Sequence, residues 1–65
     1  MNVTGTLNFL ASAGPYARTT VKLDELDEIM HTTGGELMAR GHLYNIVPYR
    51  LSPNVYRLSL KLANP

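Results

Sequence analysis

Arginine and tyrosine recur side by side along this chain. Tyr16 and Arg18 are two residues apart, Tyr49 and Arg50 are adjacent, Tyr56 and Arg57 are adjacent, and Arg40 and Tyr44 flank Gly41-His42. All 4 tyrosines and all the arginines take part. These two residue types together suit single-stranded nucleic acid. The planar guanidinium offers a fork of donors that matches phosphate oxygens, which lysine presents only as a point charge. An aromatic face stacks on a base for about 1–3 kcal/mol without reading its sequence. Adding the lysines near these pairs gives a candidate nucleic-acid set of Tyr16, Arg18, Lys22, Tyr49, Arg50, Arg57 and Lys61. Neighbours on a strand point to opposite faces. Tyr49–Arg50 and Tyr56–Arg57 therefore do not each stack and pair from one face, and Tyr56 reads equally well as a core residue behind a solvated Arg57. Tyr16 and Arg18, two apart, share a side.

A second constellation is acidic. Four of the 5 carboxylates, Asp24, Glu25, Asp27 and Glu28, fall within five positions, and the other is Glu36. The net charge of +1 therefore hides a split: outside 24–28 the chain carries six bases against one acid. The acidic block is the alternative candidate surface, for a protein partner.

Other chemistry is not legible. There is no cysteine, which excludes disulfides and thiolate zinc sites. His31 and His42 lie in different elements with no carboxylate spaced to join either as a metal ligand. Gly34-Gly35 lacks the lysine of a phosphate-binding loop and reads as the end of a helix. Ser12, Ser52 and Ser59 stand outside any nucleophile motif. The expectation is a binding protein, not an enzyme, with no cofactor and no metal.

The elements that must position these residues are short. Over 3–11, Val3, Gly5, Leu7, Phe9 and Ala11 alternate with Thr4, Thr6 and Asn8; Leu10 alone breaks the period of two, which predicts a half-buried strand. Ala11-Ser12-Ala13-Gly14-Pro15 predicts a hairpin connection, with the tip over 11–18 and a return strand over 17–23 carrying Thr19, Thr20 and Val21. Leu23, Leu26, Ile29 and Met30 have the spacing of one helix face, the acids crowd its first turn where the helix dipole favours them, and Gly34-Gly35 ends it. The prediction is a short helix over 23–33; a turn followed by a strand over 28–33 is the competing reading. Residues 36–40 suit a short strand. His42–Arg50 suits another, with Pro48 marking an edge strand or a strand's end. Leu51-Ser52-Pro53-Asn54 forms a turn. In Val55–Leu62, Tyr56, Leu58, Leu60 and Leu62 line one face, and Val55, Arg57, Ser59 and Lys61 the other.

The predicted fold is mainly β with one short helix, a small curled sheet or OB-like barrel; the alternative is α+β, a helix packed on a small antiparallel sheet. A chain of 65 residues is a single domain, 1–65, that buries only about 60% of its unfolded surface. Without disulfides or metal it points to a homodimer. The apolar runs are too short to span a membrane. The first residues lack the basic and apolar regions of a signal peptide. The expected compartment is the cytoplasm, and the Asn2-Val3-Thr4 sequon is then a chance match.

The segment Ala11-Ser12-Ala13-Gly14-Pro15-Tyr16, after an alternating stretch, resembles the DNA-contacting hairpin of the filamentous-phage single-stranded DNA-binding proteins of the gene V type. Gly41-His42-Leu43-Tyr44-Asn45-Ile46-Val47-Pro48-Tyr49-Arg50 is similar to that family's glycine, aromatic, Val-Pro-Tyr-Arg-like strand, and Tyr56–Leu62 occupies the place of its closing strand. The likeness covers roughly 2–16 and 41–63. It implies a five-stranded OB-type barrel, a homodimer in a host cytoplasm, and cooperative coating of single-stranded DNA without sequence preference. Tyr16 and Arg18 would be hairpin-tip residues that stack and pair with phosphate, with Tyr49 and Arg50 corresponding less closely. The acidic block falls outside the likeness. The rival expectation is a small protein-interaction module, such as a phage-encoded inhibitor, an assembly linker or an accessory subunit, that uses the acidic 24–33 helix or a sheet edge. Over 26–37, the helix running through Gly-Gly into a strand also resembles the small capping linkers of phycobilisomes.

Overall fold

A computed structural model describes residues 2–63. In chain order the elements are α1 (Val3–Ala13), a 3-10 turn (Gly14–Tyr16), β1 (Thr19–Lys22), α2 (Leu23–Thr33), β2 (Glu36–Ala39), β3 (His42–Ser52) and β4 (Val55–Leu62). The strands form one antiparallel sheet in the order β1-β4-β3-β2, curled into a half-barrel. The expected small curled sheet is present. It has four strands and two helices, where the resemblance implied five strands and the residue pattern predicted one helix.

The largest correction is at the N-terminus, where the strand predicted over 3–11 is α1. Asn2 caps it, its Oδ1 accepting from the Gly5 N–H at 2.8 Å. Val3, Leu7 and Leu10 follow helical spacing; Leu10 is fully buried, while Phe9, which alternation placed with the core residues, is 45% exposed. The residue that broke the alternation is thus the one the helix buries. Gly14 then takes a positive φ of 63° and returns its N–H to the Leu10 carbonyl, a turn glycine adopts without the Cβ penalty. No hairpin forms over 11–18: the chain passes through the 3-10 turn, and β1 pairs with β4 instead of with the N-terminal segment.

The helix predicted over 23–33 is α2, and the competing strand over 28–33 does not form. Asp24 and Glu25 occupy its first turn and His31 its last, as the dipole favours. Leu26 and Ile29 are buried, with Leu23 and Met30 packed beside them. The Leu23 N–H donates to the Asn54 carbonyl at 3.1 Å, which ties the helix start to the β3–β4 turn. Gly34, at φ 69°, closes the helix with an N–H to the Met30 carbonyl. The Thr6 hydroxyl donates to Glu25 Oε2 at 2.6 Å and joins the two helices.

Both helices lie on one side of the sheet. Their buried residues Leu10, Leu26 and Ile29 meet Val21, Ala39, Tyr44, Ile46, Leu58 and Leu60 in a single core. The alternation expected in β4 holds for Leu58 and Leu60, but Leu62, at the strand's end, is 45% exposed. Pro48 has the position its chemistry requires. β3 pairs with β2 only as far as Asn45, so from Val47 onward its single neighbour is β4. The Ile46 N–H donates to the Gly35 carbonyl on the far side from β4. By alternation the nitrogen of Pro48 faces the same open side, where no donor is needed.

Candidate nucleic-acid interface

Residues directly opposed in an antiparallel pair share a face, so the register draws the outer surface row by row. Met38 stands opposite Leu43; Glu36, Asn45 and Lys61 form the next row; then come Val47 with Ser59, and Tyr49 with Arg57 and Thr20; Lys22 and Val55 close the face. Neither helix covers this side. Met38, Leu43, Val47 and Tyr49 are all at least 39% exposed.

The register also re-pairs the arginines and tyrosines. Tyr49 faces Arg57 across β3 and β4, and the Arg57 guanidinium lies over its ring, 5.1 Å from the centroid. Arg50 faces Tyr56 instead, on the side opposite Tyr49. The sequence neighbours Tyr49–Arg50 and Tyr56–Arg57 are thus separated to the two faces, and the arginine–tyrosine contact forms between residues eight apart. Each pair had been legible only as two adjacent residues; the combination depends on the turn at Pro53-Asn54 that brings the strands together.

The remaining candidates divide by place. Lys61 and Lys22 share the outer face with Arg57. Arg18 is exposed just before β1, with an Nη1 donating to the Ala17 carbonyl at 3.2 Å. Tyr16 is 80% exposed on the 3-10 turn. It lies on a connection between layers, not on the tip of a two-stranded hairpin. Arg50 is exposed near the β3–β4 turn and does not join the outer face. Tyr44 is buried at 5% and stands edge-on to His42, so the sequence pair Arg40–Tyr44 is no surface pair. Residue reasoning placed Ser59 on the Arg57 face but missed Thr20 and Asn45, the other polar members of the outer rows; their parity with Lys22 and Val47 was the available signal.

The acidic block is on α2, and Asp24 and Glu25 reach the Lys22 end of the outer face. Asp24, Asp27 and Glu28 are exposed along α2, while Glu25 is half buried under Thr6. The outer face carries Lys22, Arg57 and Lys61 against Glu36 alone. A shallow cavity of about 550 Å³ lies at the β1–α2 junction, lined by Thr20, Val21, Lys22, Asp24, Glu25 and Val55; its lining mixes both charge signs, which does not suit an anionic ligand. Among the described residues no group of three or more His, Asp or Glu side chains is placed to hold a metal ion, and no helix is long and apolar enough to cross a membrane.

The chain matches no family model, no curated protein and no solved structure with which it was compared.

Proposed function

We propose that this protein is a non-enzymatic binding protein that holds single-stranded nucleic acid across the outer face of its sheet. The observation that carries the reading is the Tyr49–Arg57 pair. The Arg57 guanidinium over the Tyr49 ring sets a cation beside an exposed aromatic, and both groups can stack on unpaired bases. Lys61 lies along the same strand and face as Arg57, where it can meet a phosphate, while Lys22 closes the face at its other end beside Asp24 and Glu25. Of the α2 carboxylates, which would repel a polyanion, Asp24 and Glu25 border the face only at its Lys22 end, where they line the cavity with Thr20 and Val55. The DNA-binding role, a homodimeric state and a cytoplasmic location belong together in this reading.

The test is a titration with oligo(dT) at low salt, followed by tyrosine emission. Quenching that saturates, and that raised salt reverses, is the expected result. Emission unchanged at saturating oligonucleotide overturns the proposal.

One observation favours a second reading, a protein-interaction module. Met38, Leu43 and Val47 leave apolar surface on the same open face, and contiguous exposed apolar surface marks protein contacts. In that reading the acidic α2 stripe of Asp24, Asp27 and Glu28 contributes a second contact. A protein partner captured by the wild type but lost on reversing Asp27→Lys with Glu28→Lys supports it; capture that survives the reversal removes α2 from the interface.

A further inference from the structure

The β2–β3 hairpin turns through Arg40 and Gly41, whose φ angles are 51° and 85°. Two positive-φ residues in a two-residue loop make a type I′ turn, for which Asn-Gly is the favoured pair. Arg40 is the one non-glycine with positive φ among the described residues; there its Cβ crowds the following carbonyl. Nothing in the turn requires an arginine, since the side chain is exposed. What the arginine has is reach. Its stem lies against Gly14, so closely that a Cβ on Gly14 would stand 2.9 Å from Arg40 Cδ. Two residues beyond Gly14 is Tyr16, the most exposed of the tyrosines, and two further is Arg18.

We infer that Arg40 is a phosphate-binding residue, and that with Tyr16 it forms a second arginine–tyrosine site for a phosphodiester strand, at the end of the molecule where the β2–β3 hairpin meets the close of α1. The inference rests on the nucleic-acid reading and extends it to residues outside the sheet face. Strain of this kind persists where the surroundings over-determine it, and it concentrates at binding sites. Here the strained residue is long, cationic and exposed, in a turn where a short residue fits better, and the segment it crosses has a glycine at the point of contact.

Arg40→Asn separates binding from turn geometry, because it installs the favoured I′ residue while removing charge and reach. Oligo(dT) titrations of wild type, Arg40→Asn and Arg40→Lys over a range of salt, with thermal unfolding of each, form the experiment. Arg40→Asn is expected to keep or raise the melting temperature, to weaken binding about three- to tenfold at low salt, and to lower the slope of log K against log salt by about 0.7, the share of one phosphate on a single strand. Arg40→Lys is expected to keep the slope. If Arg40→Asn binds with unchanged affinity and slope while wild type binds, Arg40 has no such role and the sheet-face reading stands. A lowered melting temperature makes Arg40 a packing residue and overturns the inference too. If the wild type does not bind at all, the nucleic-acid reading itself fails and this inference falls with it.

Discussion

Tyr49 and Arg57 illustrate what a single side chain contributes. An exposed Arg-on-Tyr contact is worth about 0.5–1 kcal/mol, so neither residue matters much to stability; both can be removed with the fold intact. In the proposed complex the same residues count for more, because base stacking on an aromatic contributes about 1–3 kcal/mol. Tyr49→Ala is therefore expected to weaken oligo(dT) binding at least fivefold with little change in melting temperature, measured by titration and thermal unfolding of the same sample. The opposite balance is expected at Leu10, which is fully buried. Leucine-to-alanine changes in cores cost about 2.7–5 kcal/mol, a large share of the stability of so small a domain. Leu10→Ala should lower the denaturation midpoint sharply, and circular dichroism should register the loss of α1. A variant that unfolds like the wild type would mean that α1 is not seated on the core as described.

At the scale of elements, α1 depends on its cap and β3 on its proline. Removing the Asn2 side chain orphans the Gly5 N–H that it accepts from; Asn2→Ala is expected to cost about 1 kcal/mol, read as a lower unfolding midpoint. Pro48 withholds a donor from the stretch of β3 that has only one neighbour. An exposed strand with unpaired donors is a template for another chain, and proline on the edge blunts it. Pro48→Thr restores the donor and is expected to promote concentration-dependent association, which light scattering would detect; a variant that stays as dispersed as the wild type would show that the proline does not guard the edge. β1 and β2, the sheet's outer strands, span only 4 residues each, so the Pro48-bearing stretch of β3 beyond Asn45 adds to the edge on the β2 side.

For the whole molecule, charge and size are the deciding quantities. The fold puts Arg57 and Lys61 on the open sheet and the carboxylates on α2, where Asp24 and Glu25 meet Lys22 at the β1–α2 junction. A strand that meets Arg57, Lys61 and Arg40 should show a log K against log salt slope near −2. A much flatter dependence would mean that phosphates are not what the face binds. The chain's small size, with no cross-link, argues for a homodimer. Light scattering at micromolar concentration should report twice the chain mass, and a clean monomer mass would contradict the dimer.

How much was legible before folding differs from segment to segment. Residues 23–33 could be read directly, because helix spacing, first-turn acids and a closing glycine all agree locally, and α2 has those bounds. Residues 3–11 could not. Alternation and helical spacing both run through Val3 and Leu7, and only the tertiary core, by burying Leu10 and leaving Phe9 outside, decides between them. The sequence by itself determined which chemistries are available: no thiols, few histidines, paired arginines and tyrosines, and one acidic helix. It also determined the alternation that makes β4 two-faced. Which arginine meets which tyrosine was decided by the tertiary structure alone. Adjacent residues on a strand diverge, so the partners come from register across the β3–β4 turn, and register is set by long-range burial of Ile46, Leu58 and Leu60 against the helices.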